Sequence, residues 1–548
     1  HYKILIFCKF TLLEPYKQLY YNILIYRTPL YLFAMLLGIS FAACVEDTGN
    51  YSYENPDVVA PIIKSGIDEN YSVLVLENLV IDPTIEGDES QYDYVWYAFP
   101  GTVTSSAPND TLGVSKKLDC TISMEPGTYQ LVFKVTDKSN GTSAFYKSKL
   151  VVASFFSEGY YILKYENGYT DVDFIDRNGE LNVDILKTIN GESLSGKPIR
   201  GTYEYNQYAY YVYDAEGNRT RKNLQPAYMI CTDEDLGIYE GTSMKQLKRW
   251  NDAFLEVPAV KKPQGVWATT SGFMLMNNNA VHFAYLGGGG GGHFGYAYPN
   301  DDMQLNSMVT AGSSSCLCYD DRAGEFVGYY VQKHYPIKNA IESASPLSLK
   351  PVGEVYFTNC DLIYMGVQPY SSTSVGGTYA IVKDRTTGVA SLWQINVGVM
   401  QNYYAVYDKG YRGLTIPASF DVVNGRVFAV QGYGVLSTPP AYSGVIYYSK
   451  GDNVVHYYNP SNQTEKKNMI SIPADEEIVY LAHSSDPSTV TPVDVFSILS
   501  NKGGNWVLRT YNREGATPDI NPKAVRTYTG KGVAKNFIYR NSGTRITY

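Results

Sequence analysis

Gly444-Val-Ile-Tyr-Tyr-Ser449, Lys450-Gly451-Asp452, Asn453-Val-Val-His-Tyr-Tyr458 and Lys467-Asn-Met-Ile-Ser-Ile472 read as strand, turn, strand and strand. Their β-branched and aromatic runs are separated by Gly and Asp or Asn, which supply the tight reversals. The same order returns in Val493-Asp-Val-Phe-Ser-Ile498, Asn501-Lys-Gly-Gly504, Asn505-Trp-Val-Leu-Arg-Thr-Tyr511 and Ala524-Val-Arg-Thr-Tyr528, with Val445 and Val495 standing 50 residues apart. Gly425-Arg-Val-Phe-Ala-Val430 and Glu477-Ile-Val-Tyr-Leu-Ala482 precede the two sets and complete four strands in each. One such unit cannot bury its own faces, so a recurring four-stranded unit is the footprint of a propeller blade.

Working upstream, the echoes weaken but persist. Tyr210 to Asn218, Cys318 to Tyr330 and Tyr379 to Trp393 each read strand, turn, strand. At roughly 40–50 residues per blade, residues 154–548 hold six to eight blades, with seven favoured. Ser243 to Phe254 breaks the pattern and reads as a short inserted helix.

The composition agrees with a β-protein. Apolar residues make up 44% of the chain and charged residues 18%, with 52 Tyr against 20 Phe and 5 Trp. Tyr suits a pleated, half-exposed surface with its hydroxyl in water, and part of such a surface can serve as a ligand platform. A net charge of −9 without clustered Lys and Arg excludes a nucleic-acid partner.

The N-terminus sets the compartment. The apolar run Leu30 to Ala43 follows Arg27 and ends in small residues before Cys44, the order of a secretory signal. It is too short for a stop-transfer helix and has no positive flank after it. Phe41-Ala42-Ala43-Cys44 resembles a bacterial lipobox, apart from Phe in place of the usual Leu. Residues 1–44 are therefore expected to be a signal peptide, with Cys44 as the lipidation site. The sequence starts with His rather than Met, so residues 1–20 are set aside as an incomplete or mis-assigned start. Residues 45–57 form a polar tether, and Glu46 and Asp47 resemble the export signal of surface-exposed lipoproteins.

Between 58 and 153 short strands again alternate with turns: Tyr71 to Leu76, Tyr92 to Tyr97, Tyr129 to Val135 and Ala144 to Val152. This predicts an immunoglobulin-like sandwich with Trp96 as its core plug. Pro126-Gly-Thr-Tyr-Gln-Leu-Val-Phe-Lys-Val-Thr-Asp137 resembles the closing strands of a polycystic-kidney-disease (PKD) domain, whereas Val95-Trp96-Tyr97-Ala98-Phe99 departs from that domain's Trp-Asp-Phe-Gly-Asp-Gly signature. The fold expected overall is all-β, a PKD-like sandwich at 58–153 followed by a β-propeller of about seven blades at 154–548.

A lipobox, a PKD-like module and a Tyr-rich propeller in that order, with Glu158-Gly-Tyr-Tyr-Ile-Leu-Lys164 at the junction, resemble the PKD-like family lipoproteins found beside Sus-type outer-membrane importers. The resemblance implies a lipid-anchored accessory subunit on the outer membrane, exposed at the cell surface, that captures peptide or glycan for a neighbouring transporter. It brings no ligand residues with it.

Gly191-Glu-Ser-Leu-Ser195 lacks the final glycine of a nucleophile elbow. Gly287 to Gly292, next to His293, lacks the Lys-Ser/Thr of a phosphate loop and reads as a mobile loop that could lie over one propeller face. Asp176 to Glu180 and Asp214 to Asn218 have calcium-like oxygen spacing but read as hairpin turns. Cys316 and Cys318 share a strand face without a second pair to complete a metal site, and read as buried thiols. No catalytic, metal or cofactor site is expected, and the ligand site stays unknown. A binding protein is the leading reading. A surface hydrolase or lyase working at the propeller's central face is the alternative, followed by an adhesive or structural role.

Overall fold

A computed structural model describes residues 60–540, apart from 76, 101–109, 125, 270, 286–290, 301, 312–314, 331–336, 339–340, 343–358, 368–377, 402–403, 407–412, 432–443, 487–492 and 513–516. The signal segment, Cys44 and the tether lie outside the described residues.

In the N-terminal region a five-stranded sheet runs in the order Asn70–Leu74, Ser143–Ala153, Gly127–Asp137, Tyr92–Pro100, Asp110–Gly113. Two short ladders accompany it, Ile63–Ser65 with Thr84–Ile85 and Asn78–Ile81 with Leu118–Thr121. The first strand of the sheet pairs in parallel with the second, Asn70 opposite Lys149. Trp96 is fully buried, stacked on Phe133 at 4.3 Å, and its Nε1 donates to the carbonyls of Ser115 and Lys116. A buried indole needs such an acceptor, and the expected core plug is in place.

From Gly159 onward the strands fall into seven sheets. Blade 1 holds Gly159–Glu166, Tyr169–Asp176 and Leu181–Asn182, and is completed by the last described strand, Val533–Arg540. Blades 2 to 7 begin with Pro198–Tyr213, Pro263–Thr269, Thr310–Ala311, Cys360–Val367, Val427–Val430 and Glu477–Asp486, and each continues outward by antiparallel pairing, except that Ile341–Glu342 at the edge of blade 5 pairs in parallel with Tyr404–Val406. These first strands, with Val533–Arg540 for blade 1, pack side by side in a closed cycle. A cycle of innermost strands is what makes seven sheets a propeller, and blades 6 and 7 are the units that the repeat predicts. Among the described residues, blade 3 has three strands and the other blades four or more.

The predicted helix over 243–254 is not there. Gln246–Arg249 is the outermost strand of blade 2, with Gly237 opposite Arg249 and Ile238 opposite Lys248, and Trp250–Asp252 is a single 3₁₀ turn. An isolated helix of that length is marginal, while the edge of Leu236–Glu240 offers unpaired backbone groups that a fourth strand satisfies. Trp250 is then buried against Phe254. The α-helix that does form, α1 at Ile185–Asn190, was not expected. Its N-terminal amides at Leu186 and Lys187 donate to the buried carboxylate of Asp171, and Gly191, at φ 82°, ends it in the left-handed conformation.

Tyrosine also behaves differently from the half-exposed surface that composition suggests. Tyr203, Tyr208, Tyr228, Tyr239, Tyr319, Tyr379, Tyr447 and Tyr448 are among the largest fully buried side chains. Several hydroxyls staple neighbouring blades by donating to backbone carbonyls. Tyr208 reaches Gly292 (2.9 Å), Tyr319 reaches Cys360 (3.0 Å) and Tyr447 reaches Pro518 (2.8 Å). Radial sheets leave wedge-shaped gaps between them, and a long flat ring with one polar tip fills such a wedge while satisfying a carbonyl at its end.

The ring is closed by buried charge. Lys164 Nζ sits 2.8 Å from Asp173 Oδ1 and 2.8 Å from Asp184 Oδ1, while Asp173 Oδ2 accepts from Trp506 Nε1 of blade 7 at 2.9 Å. Arg540 donates to the carbonyls of Phe156 (3.0 Å) and Gly241 (2.6 Å) and lies 4.3 Å over the Tyr203 ring.

Candidate functional site: the central channel

The innermost strands of all seven blades line one cavity of about 300 Å³ on the propeller axis. Room exists there because blades 2 to 7 each contribute a residue with little or no side chain: Gly201, Ala268, Ala311, Gly366, Ala429 and Ala482. Larger side chains at these positions would close the axis. The volume falls at the small end of ligand-binding cavities.

Aromatic side chains make up much of the wall. Trp267, Tyr364, Phe428, Tyr480, Phe537 and Tyr539 come from blades 3, 5, 6, 7 and 1. Tyr364 stacks on Phe428 at 4.5 Å, and Tyr480 meets Phe537 edge-on at 5.2 Å. Burial pushes the Tyr364 phenol well above its usual pKa, with Tyr480 nearby adding to the effect. Both phenols are neutral hydrogen-bonding groups at ordinary pH.

Arg200 supplies the charge. Its guanidinium lies 5.6 Å over the Trp267 ring, and no carboxylate stands among the described lining residues. Burial lowers its pKa from the ordinary arginine value, with Tyr480 acting against that shift. Arginine nevertheless stays protonated. Among the described residues of the wall, Arg200 Nε, Trp267 Nε1 and Asn536 Oδ1 are buried polar atoms without a hydrogen bond. His483 also lines the cavity, its ring parallel to Tyr447 at 5.8 Å.

A second cavity of about 270 Å³ lies between blades 1 and 7, with Tyr160, Tyr528 and Tyr539 on its wall. Its charges are of both signs, Arg177 and Arg526 against Glu158 and Asp176, and the Arg526 guanidinium already donates to the Tyr528 hydroxyl at 3.4 Å.

The residues screened in the sequence lie elsewhere. Asp176 accepts from the backbone amides of Asn178 and Glu180, and Asp214 from that of Asn218, so both carboxylates serve their own hairpin turns. Ser193, inside the rejected elbow, donates to Asp171 beside α1. Cys316 and Cys318 are fully buried in an apolar cluster with Met274 and Val327, and burial pushes both thiols up, which makes them inert. Residues 287–290 of the glycine run are outside the described residues. Gly292, at φ 72°, is held against the Tyr208 ring, where a Cβ would come within 2.5 Å. Among the described residues no cluster of three or more His, Cys, Asp or Glu is placed to hold a metal ion, and no helix is long and apolar enough to cross a membrane.

Sequence reasoning named the propeller's central face but none of the residues that line it. Arg200, Trp267, Tyr364, Tyr480 and Asn536 are spread over more than 300 positions, and only the closure of the ring brings them together. The usable signal was an Arg and a Trp inside innermost strands, where short apolar residues are the rule.

Residues 44–198 match the model of the PKD-like family, a span that covers the sandwich and the blade 1 strands up to the start of blade 2. No curated protein matches. Among solved structures the chain is similar to a quinonprotein alcohol dehydrogenase-like protein from Bacteroides thetaiotaomicron VPI-5482, at 11% identity and a TM-score of 0.39, over 88% of this chain and 100% of that one. It is similar to the WD40 domain of Toxoplasma gondii coronin at 9% identity and a TM-score of 0.34, over 68% of this chain and 90% of that one. The blade assignment rests on the sheet order and the shared cavity rather than on these scores. By sequence and by sheet topology, the chain joins a region matching the PKD-like family to a seven-bladed β-propeller.

Proposed function

We propose that this chain is a non-enzymatic, surface-exposed lipoprotein, anchored at Cys44 and acting as the accessory binding subunit of a Sus-type uptake system for peptide or glycan. The observation that carries the binding role is the aromatic wall around the axial cavity. Stacked and edge-on rings give sugar and peptide groups flat apolar faces, and the phenol and amide groups between them give direction. The described lining holds neither a pair of carboxylates nor a set of metal ligands, the two arrangements that a hydrolase or lyase at this face would use. The lipid anchor rests on the order of apolar run, small residues and Cys44. Glu46 and Asp47 support surface exposure by resemblance.

The test is purification of the tagged protein from detergent-solubilised outer membranes of its own host, alongside a Cys44→Ser variant. The wild type is expected to bring down a porin-like transporter and to carry metabolically incorporated fatty acid, and the variant to do neither. Recovery of an unacylated protein, or of an acylated protein without any transporter, would overturn the uptake reading.

A further inference from the structure

We infer that the axial cavity is an anion site that takes a small carboxylate-bearing ligand, its carboxylate on Arg200 and its body between Trp267, Tyr364 and Tyr480. The inference deepens the binding role proposed above and rests on it.

Arg200 is a cation in a wall with no described carboxylate, and its Nε is a buried donor without an acceptor. Arg200 is half-buried with its Nε shut from water, and leaving that donor unpaired is costly; the Trp267 ring at 5.6 Å offsets only part of the cost. A structural arginine normally ends on a carboxylate or on carbonyls, as Arg540 and Arg509 do in this chain. Arg200 meets neither among the described residues, so the fork is available for bidentate binding.

The other two orphaned atoms narrow the ligand further. Trp267 is 2% exposed, and its Nε1 is a second donor without an acceptor. Asn536 Oδ1, from blade 1, is an acceptor without a donor. A fully ionised phosphate would bring only acceptors and would set one against Asn536. A carboxylate flanked by a hydroxyl or an amide N–H answers both kinds of atom. That chemistry occurs in uronic acids and at the C-terminus of a peptide, and a cavity of about 300 Å³ suits one or two such units.

The experiment titrates the full mature protein calorimetrically with four probes: digalacturonate, neutral digalactose, N-acetyl-alanyl-phenylalanine and its neutral C-terminal amide. One acid is expected to bind at least about 10-fold more tightly than its neutral partner, since a charge-assisted bidentate contact is worth roughly 10- to 100-fold in affinity. Which acid it is identifies the source as glycan or peptide. Arg200→Gln should abolish that preference, Arg200→Lys should keep part of it, and Trp267→Phe should weaken binding several-fold while preserving the ring. A thermal melt controls for folding: Arg200→Gln is expected to melt no lower than wild type, whereas an arginine with a purely structural role would lower the melting temperature. If neutral and acidic probes bind equally, the anion site is wrong and the binding role stands. If no probe binds, the anion site is wrong, and the outer-membrane purification decides the binding role separately.

Discussion

Two cations, Lys164 buried and Arg200 half-buried, show how differently the closing seam and the channel wall are built. In the seam between blades 1 and 7, Lys164 is 2% exposed and meets two carboxylates at 2.8 Å, one of which also accepts from Trp506. In the wall, Arg200 lies over an indole, and no carboxylate stands among the described lining residues. The blade-spanning tyrosines side with the seam, each hydroxyl ending on a carbonyl across the gap. The groups of the seam are satisfied within the fold, whereas Arg200 Nε and Trp267 Nε1 in the wall are not.

The largest expected effect breaks the seam. Lys164→Met leaves Asp173 buried without its counter-ion and should cost about 3–5 kcal/mol in denaturant unfolding. Adding Asp173→Asn should recover much of that loss, because both charges are then gone. Recovery of nothing would mean that the ion pair is not the fastener.

A smaller effect comes from single staples. Tyr319→Phe or Tyr447→Phe removes one hydroxyl and strands one carbonyl, and should cost about 1–2 kcal/mol by the same measurement. Arg200→Met should change stability by less than about 1 kcal/mol, or raise it. This sharpens the contrast, since a comparable cut at Lys164 is severe.

The acid limb separates the seams further. Burial would raise the Glu476 pKa, but Arg509, with Nη2 2.8 Å from Oε1, outweighs it and holds the carboxyl below the usual glutamate range. A carboxyl with a lowered folded pKa contributes stability that is present above its unfolded value, about 4.5, and is lost as pH falls through the folded value. Glu476→Gln should therefore flatten the stability–pH curve below pH 4.5 and leave ligand affinity at neutral pH unchanged, which paired melts and titrations would check.

The smallest effect on stability belongs to the channel itself. Ala482→Leu should narrow the axis and weaken ligand binding more than 10-fold, while the melting temperature shifts by only a few degrees. Undiminished binding would move the ligand to another surface.

Legibility followed the same division. Blades 6 and 7 could be read from local pattern because strand period and turn residues are short-range properties, and Trp96 could be placed because an indole in an alternating strand has few other places to go. The stretch at 243–254 was misread because a blade edge in need of a partner overrides helical spacing, and α1 was missed because its N-terminus is capped by Asp171 from a neighbouring strand. Tyrosine count pointed to β-structure but not to burial, which depends on wedges that only radial packing creates.

The sequence by itself determined that this protein is all-β, that a sandwich precedes repeated four-stranded units, and that Cys44 follows a signal-like segment, all of them properties of residues close together in the chain. Tertiary structure narrowed six to eight blades to the seven already favoured, and it alone decided that Val533–Arg540 closes the ring on Gly159–Glu166 and that Arg200, Trp267, Tyr480 and Asn536 share one cavity. Those facts depend on distant strands meeting at an axis, and no local pattern encodes which side chains will face one another there.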